Sequence, residues 1–195
     1  MRKSQDHLSD GDIFKLITDD KQKGFDRLYR KYVDRIINYA FYLVKKRYIA
    51  EELTQEAFLC AYRDIENFRS DSKISTWIYT IVRNLAYNWL KHSKYEPKIS
   101  VDQKINLGDG EAALIEAIAN NSLGPDEITS KKEIDVLLKK AISTLEVKYR
   151  DVIILCDLHE FSYKKAGEIL SCNPEAVGMR LMRARKMLAA VFKID

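Results

Sequence analysis

FDRLYRKYVDRIINYAFYL, residues 25–43, carries apolar side chains at Phe25, Leu28, Tyr29, Tyr32, Ile36, Ala40 and Leu43. That three-and-four spacing is the signature of one face of an α-helix. Outward from this stretch the pattern holds: no Gly or Pro interrupts the chain from Phe25 to Glu96, and the 195 residues contain only 7 Gly and 3 Pro. Scarce turn residues favour long helices over sheets, and the fold class is read as all-α. Upstream, residues 1–21 form a polar segment with one apolar patch, Ile13, Phe14, Leu16 and Ile17. The patch reads as a short helix that Gly24 ends, and nothing in it points to a function.

Downstream, a second helix turns Ile49, Leu53, Ala57, Cys60 and Ala61 inward and leaves Glu51, Glu52, Gln55 and Glu56 as an acidic face. Such a face is ordinarily just solvated, or else a dock for a basic partner. The polar run from Arg69 to Lys73 interrupts the pattern, and Ser75 or Thr76 is the expected cap of a third helix running to about Lys91. Its buried side is expected to be Ile78, Ile81, Val82, Leu85 and Trp89. On the other side Tyr79, Arg83, Tyr87 and Lys91 recur every four residues, flanked by Asn84 and Asn88, an exposed aromatic and basic stripe suited to stacking and pairing with a single strand.

The formal charge of +4 hides an asymmetry. Between Glu96 and Ser130 seven acidic residues face two lysines, so the rest of the chain carries +9. This stretch also holds Pro97, Gly108, Gly110, Gly124 and Pro125, and it reads as a flexible acidic linker. Two basic bodies around an acidic connector suit a protein that binds a polyanion. The expected organisation is a polar segment 1–21, a helical domain 22–95, the linker 96–129 and a second helical domain 130–195.

In that second domain Ile134, Leu137, Leu138, Ala141, Ile142 and Leu145 describe one helix, and Val152, Ile153 and Cys156 belong to another. A short helix from Tyr163 to Leu170, a tight turn at Ser171, Cys172 and Asn173, and a longer helix from Pro174 follow. Asn173 as cap with Pro174 at the first helical position is a strong start signal. The pair looks like a helix-turn-helix, whose second helix enters the major groove. With Val177, Leu181, Ala184, Leu188 and Val191 inward, Arg180, Arg183, Arg185 and Lys186 are left exposed. The bland reading is a basic surface helix.

Catalysis has no visible home. There is no Gly-rich phosphate loop and no His-Glu-x-x-His, and the three histidines, His7, His92 and His159, sit far apart in sequence. The best metal arrangement, Cys156-x-x-His159 with Cys172, lacks a second tight pair. No cofactor and no metal are expected. The scattered Cys60, Cys156 and Cys172 suit reduced thiols in a cytoplasm, the first ten residues have no apolar secretion core, and charges break every apolar stretch well short of a membrane span.

Several stretches together resemble the extracytoplasmic-function (ECF) group of bacterial sigma factors. Leu53 to Arg63 is similar to the family's polymerase-binding helix, Phe68 to Tyr79 to its promoter-melting segment, and Val82 to Asn88 continues it. Leu145 to Leu158, Phe161 to Tyr163 and Arg180 to Arg185 are similar to its C-terminal helix-turn-helix. The resemblance covers about residues 22–94 and 130–192, in order. It implies a sigma region 2-like domain over 22–95 and a sigma region 4-like domain over 130–195. Glu52, Gln55, Glu56 and Phe58 would dock on the clamp coiled coil of the largest subunit of core RNA polymerase. Ser70, Asp71, Ser72 and Lys73 would form the loop that captures a flipped base of the melted minus-ten strand, with Trp77 beneath it, Asn84 and Asn88 on neighbouring bases, and Arg83 and Lys91 on phosphates. Glu175, Met179, Arg180, Arg183, Arg185 and Lys186 would face the minus-thirty-five duplex, and the acidic linker would thread toward the active centre. An anti-sigma factor is a further implied partner.

One departure from the family pattern bears on this reading. The second domain has Ala176-Val177-Gly178-Met179 where the family has Thr-Val-Lys-Ser. Gly178 lowers helix propensity by up to about 1 kcal/mol and offers no side chain to a base, so minus-thirty-five readout is expected to be weak; either a recruiting factor helps, or the contacts come chiefly from Arg180 and Arg183. The alternatives are a helix-turn-helix regulator acting on duplex DNA without core polymerase, and a helical adaptor that ignores DNA.

Overall fold

The computed structural model describes residues 8–68, 72–93 and 131–192, without the side chains of 131–136, 191 and 192. Among these residues all regular structure is helical. The expected linker at 96–129 lies outside them, as do Ser70 and Asp71.

The first body has four helices, α1 (Asp10–Asp19), α2 (Lys21–Val44), α3 (Arg47–Asp64) and α4 (Ile74–Ser93). α1 begins at a reciprocal cap: the Ser9 hydroxyl accepts from the Asp12 amide, and the Asp12 carboxylate accepts from the Ser9 amide. Asp20 caps α2 by accepting from the Lys23 amide. Leu28, Tyr32, Ile36, Ala40 and Leu43 are all buried, the stripe expected from the spacing. Each large member contributes about 1.5–3 kcal/mol by leaving water.

Gly24 does not end a helix. It lies inside α2, where a Cβ would stand 2.5 Å from the Ile17 Cα, so the missing side chain lets α1 press onto α2. Ser75 and Thr76 are not the cap of α4 either. Both are buried in its first turn, the Lys73 carbonyl accepts the first bond from the Trp77 amide, and the Ser75 amide and hydroxyl are satisfied by the Asp10 carboxylate of α1. A remote residue does what a local cap was expected to do.

The second body comprises α5 (Lys131–Thr144), α6 (Val147–Ile153) continuing into a wider π-type turn at Ile154–Leu158, α7 (Tyr163–Leu170) and α8 (Pro174–Phe192). The widened turn arises in a run, Arg150 to Leu155, that is buried at every position, because it packs against α8 on one side and the first body on the other. Between α7 and α8, Ser171 takes the left-handed conformation at φ 54° and the Cys172 amide bonds to the Gly167 carbonyl. A Cβ on Gly167 would lie 2.5 Å from the Cys172 carbonyl oxygen, so glycine is what permits the tight turn. Asn173 caps α8 by accepting from the Ala176 amide at 2.8 Å, as expected.

Candidate nucleic-acid interface

On α4, Ile74, Ile78, Val82 and Ala86 point into the first body. Rotated from them, Asn84 and Asn88 stand exposed at the rim of an open depression of about 370 Å³ between α3 and α4, lined by Cys60, Asp64, Asn67, Trp77, Ile81 and Leu85. Ile81, Leu85 and Trp89, expected in the core, are only half-buried. Amide side chains beside Trp77, Ile81 and Leu85, in a lining that also holds the polar Asp64 and Asn67, offer donors and acceptors for a base edge and a surface for its ring. Trp77 lies tilted at 39° against Phe68 at 5.1 Å between centroids, and Phe68 meets Phe14 of α1 edge-on at 5.1 Å. Ser72 is half-buried, and Lys73 and Lys91 are exposed.

The Tyr79, Arg83, Tyr87 part of the expected exposed stripe faces the second body, not solvent. Tyr79 is fully buried, its ring edge-on to Phe161 at 4.9 Å and its hydroxyl hydrogen-bonded with His159 Nδ1 at 2.6 Å. Asp151, fully buried, accepts from the Tyr39 hydroxyl at 2.5 Å, Arg83 Nε at 2.8 Å and the Tyr87 hydroxyl at 2.9 Å. The Arg83 guanidinium also lies 4.3 Å from the Tyr87 ring centroid. Burial works against the Arg83 charge, but the Asp151 carboxylate outweighs it and holds its pKa above the ordinary value; burial and the same carboxylate push the Tyr39 hydroxyl up.

Beside this, Arg150 donates to the carbonyls of Tyr42 and Leu43 at the end of α2 and to that of Leu145, each at 2.9 Å. Cationic donors suit the carbonyl end of a helix. Arg35 donates to the His159 carbonyl and Lys45 to that of Ser143. Periodicity gave no sign of this interface, because a side chain covered by a distant body has the same spacing as one facing water. The signal available was the charged pair Arg150-Asp151 at the head of the apolar run Val152 to Cys156.

On α3, Glu52, Gln55 and Glu56 are exposed as expected. Phe58 is not available on that face: it is 7% exposed and packs edge-on against Tyr29 at 4.9 Å. Its neighbour Leu59 is 70% exposed. The position of Leu59 between Ala57 and Ala61, two residues from each, is the sequence signal that places it off the buried face.

On α8, Glu175, Met179, Arg183 and Lys186 are exposed, and so is Met182. Arg180 is half-buried with Nη1 3.8 Å from the Cys172 sulfur, and Arg185 is held by both oxygens of Asp157 at 2.6 and 3.1 Å. A Cβ on Gly178 would meet the Tyr163 ring at 3.4 Å. Position 178 therefore faces α7, and its lack of a side chain says little about base readout. Burial pushes the Cys156 thiol up to about 11, and among the described residues no three His, Cys, Asp or Glu side chains gather where a metal ion would sit. No helix among the described residues is long and apolar enough to cross a membrane.

Residues 28–95 match the family model of sigma-70 region 2, and residues 135–188 match that of sigma-70 region 4. The chain is 30% identical over 167 residues to the ECF RNA polymerase sigma factor SigW of Bacillus subtilis, covering 86% of this chain and 88% of the relative. The chain belongs to the ECF sigma factors. It is also 28% identical over 190 residues to the ECF RNA polymerase sigma-E factor of Escherichia coli, covering 94% of each. In fold, this sigma factor resembles the sigma factor RpoE crystallised with the anti-sigma factor NepR from Bartonella quintana (TM-score 0.65, 23% identity, 89% of this chain and 99% of that one). It also resembles CnrH in complex with the cytosolic domain of CnrY (TM-score 0.66, 18% identity, 94% and 96%). The region 2 match decides against the stand-alone helix-turn-helix alternative, because such a regulator has no use for that domain.

Proposed function

We propose that this sigma factor binds core RNA polymerase through Glu52, Gln55, Glu56 and the exposed Leu59, and reads the melted minus-ten strand in the depression under Asn84 and Asn88. The observation that carries the reading is that depression: two exposed amides over a Trp77-lined floor, in a chain that matches both sigma regions in order. Ser72 and Lys73 precede α4 beside it, with Trp77 bracing from below, and Lys91 sits one turn further along for phosphate contact; Ser70 and Asp71, which lie outside the described residues, are proposed to complete the base-capturing loop. Glu175, Met179, Arg183 and Lys186 present the duplex-facing side of α8, with Arg180 and Arg185 to be freed from Cys172 and Asp157 for phosphates. The acidic linker runs between the two DNA-bound domains toward the active centre.

In this reading the sigma factor performs no chemistry; phosphodiester formation belongs to the polymerase, and the protein works in the cytoplasm. An anti-sigma factor is the natural inhibitor; the similarly folded sigma factor RpoE was crystallised with one. With Gly178 turned toward α7, nothing in α8 calls for a recruiting factor. The test is co-elution of the purified chain with core RNA polymerase together with run-off transcription from a genomic promoter library. Co-elution and discrete transcripts are expected; failure to bind the polymerase would overturn the reading.

A further inference from the structure

Closure of the two bodies around Asp151 poses a chemical question. Tyr39, Arg83 and Tyr87 come from two helices of the first body, and all three donate to one carboxylate brought by the second. Within the cradle the Arg83 guanidinium lies 4.3 Å from the Tyr87 ring centroid, so the two donors also contact each other. A carboxylate and a phosphodiester each offer two oxygens sharing one negative charge, and guanidinium with hydroxyl donors suits both. Arg83 and Tyr87 also sit one position before Asn84 and Asn88 on α4, so the cradle runs alongside the proposed base-reading row.

We propose that the Tyr39, Arg83 and Tyr87 cradle is a phosphodiester site for the promoter strand, and that Asp151 fills it in the closed chain as an internal stand-in for that phosphate. The proposal rests on the sigma reading above and adds to it two tyrosines and a competitor. DNA and the second body are then mutually exclusive occupants of one face of α4. Opening is also what simultaneous promoter contact demands, since sites centred about 25 base pairs apart are roughly 85 Å apart at about 3.4 Å per base pair.

The test uses the full chain, with and without core RNA polymerase, and a fluorescent single-stranded 20-mer DNA, alongside a methylphosphonate version whose backbone is uncharged. Asp151→Asn is expected to expand the chain in solution scattering and to bind the phosphodiester 20-mer about ten-fold more tightly, with no gain for the methylphosphonate. Adding Arg83→Met should abolish that gain. Arg35→Ala, which loosens the contact at the His159 carbonyl without touching the cradle, is expected to give a smaller gain in the same direction and keeps the test decisive if Asp151→Asn misfolds. An expanded Asp151→Asn chain with unchanged affinity, or an equal gain for both backbones, would overturn the phosphate assignment; a chain that stays compact would overturn the latch. Polymerase co-elution, read in parallel, reports separately on the sigma reading itself.

Discussion

Asp10 shows how much one side chain outside any recognised motif can organise. Its carboxylate accepts from the Ser75 amide and hydroxyl and from the Tyr32 hydroxyl, with Lys31 Nζ at 3.4 Å. Burial opposes its charge, but the hydrogen bonds from Ser75 and Tyr32 and the Lys31 charge hold its pKa below the usual carboxylate range. Asp10→Ala strands these donors in a partly buried site, a loss of about 1–3 kcal/mol, to be read as a lower urea midpoint at unchanged m-value. Because Asp10 fixes the first turn of α4, the variant is also expected to lose promoter melting more than polymerase binding. Nothing in the sequence pairs Asp10 with Ser75, 65 residues away; that contact belongs to tertiary packing.

His159 carries a prediction of its own. Burial, with Arg35 beside it, lowers its pKa from 6.5 to about 4; Tyr39 and Tyr79 face its ring. The separated chain takes up a proton near pH 6.5, whereas the closed chain does so only near pH 4. Closure is therefore fully supported above pH 6.5 and weakens as pH falls through that window, by roughly 3 kcal/mol at most before solvent screening reduces it. Scattering curves between pH 7.5 and 4.5 should show expansion on acidification, and a His159→Gln chain should lose most of that dependence.

At the scale of the element, periodicity was a good guide wherever one partner covers one face. The α2 stripe and the Asn173-Pro174 start of α8 were legible because local spacing and capping chemistry determine them. Gly24 and α4 depart from the expected pattern for a common reason: each has packing partners on more than one side. Gly24 accommodates α1 backbone, and Gly24→Ala is expected to destabilise the first body by about 1–3 kcal/mol through overpacking, seen as a lower thermal midpoint. In α4 the side expected to hold bases is divided, with Asn84 and Asn88 open and Tyr79, Arg83 and Tyr87 covered. On α3, Leu59→Asp is expected to leave the circular dichroism and melting temperature nearly unchanged, because the side chain is exposed, and to weaken co-elution with core polymerase several-fold.

For the whole molecule, sequence alone conveyed two basic bodies and the order of their helices, but not that they close on each other. The polar part of the contact is side chains reaching backbone carbonyls and one buried carboxylate, and its apolar part is Tyr39 and Tyr79 against His159 and Phe161, a pattern with no periodic signature. Breaking a buried pair by removing one charge is usually more harmful than the pair is helpful, which is why Asp151 is sensitive in the closed state and of little consequence once the bodies part. Fluorophores at positions 45 and 143, where Lys45 Nζ meets the Ser143 carbonyl at 2.5 Å, should transfer energy efficiently in the free chain and poorly in the polymerase and promoter complex.

Asn84 and Asn88 are proposed to read a melted promoter strand on behalf of the polymerase. Permanganate reactivity of minus-ten thymines tests it most directly, comparing polymerase reconstituted with the natural chain and with an Asn84→Ala, Asn88→Ala chain that still co-elutes with it. Strong reactivity with the natural chain and near-background reactivity with the double variant is the predicted result. Equal melting by both would contradict the account.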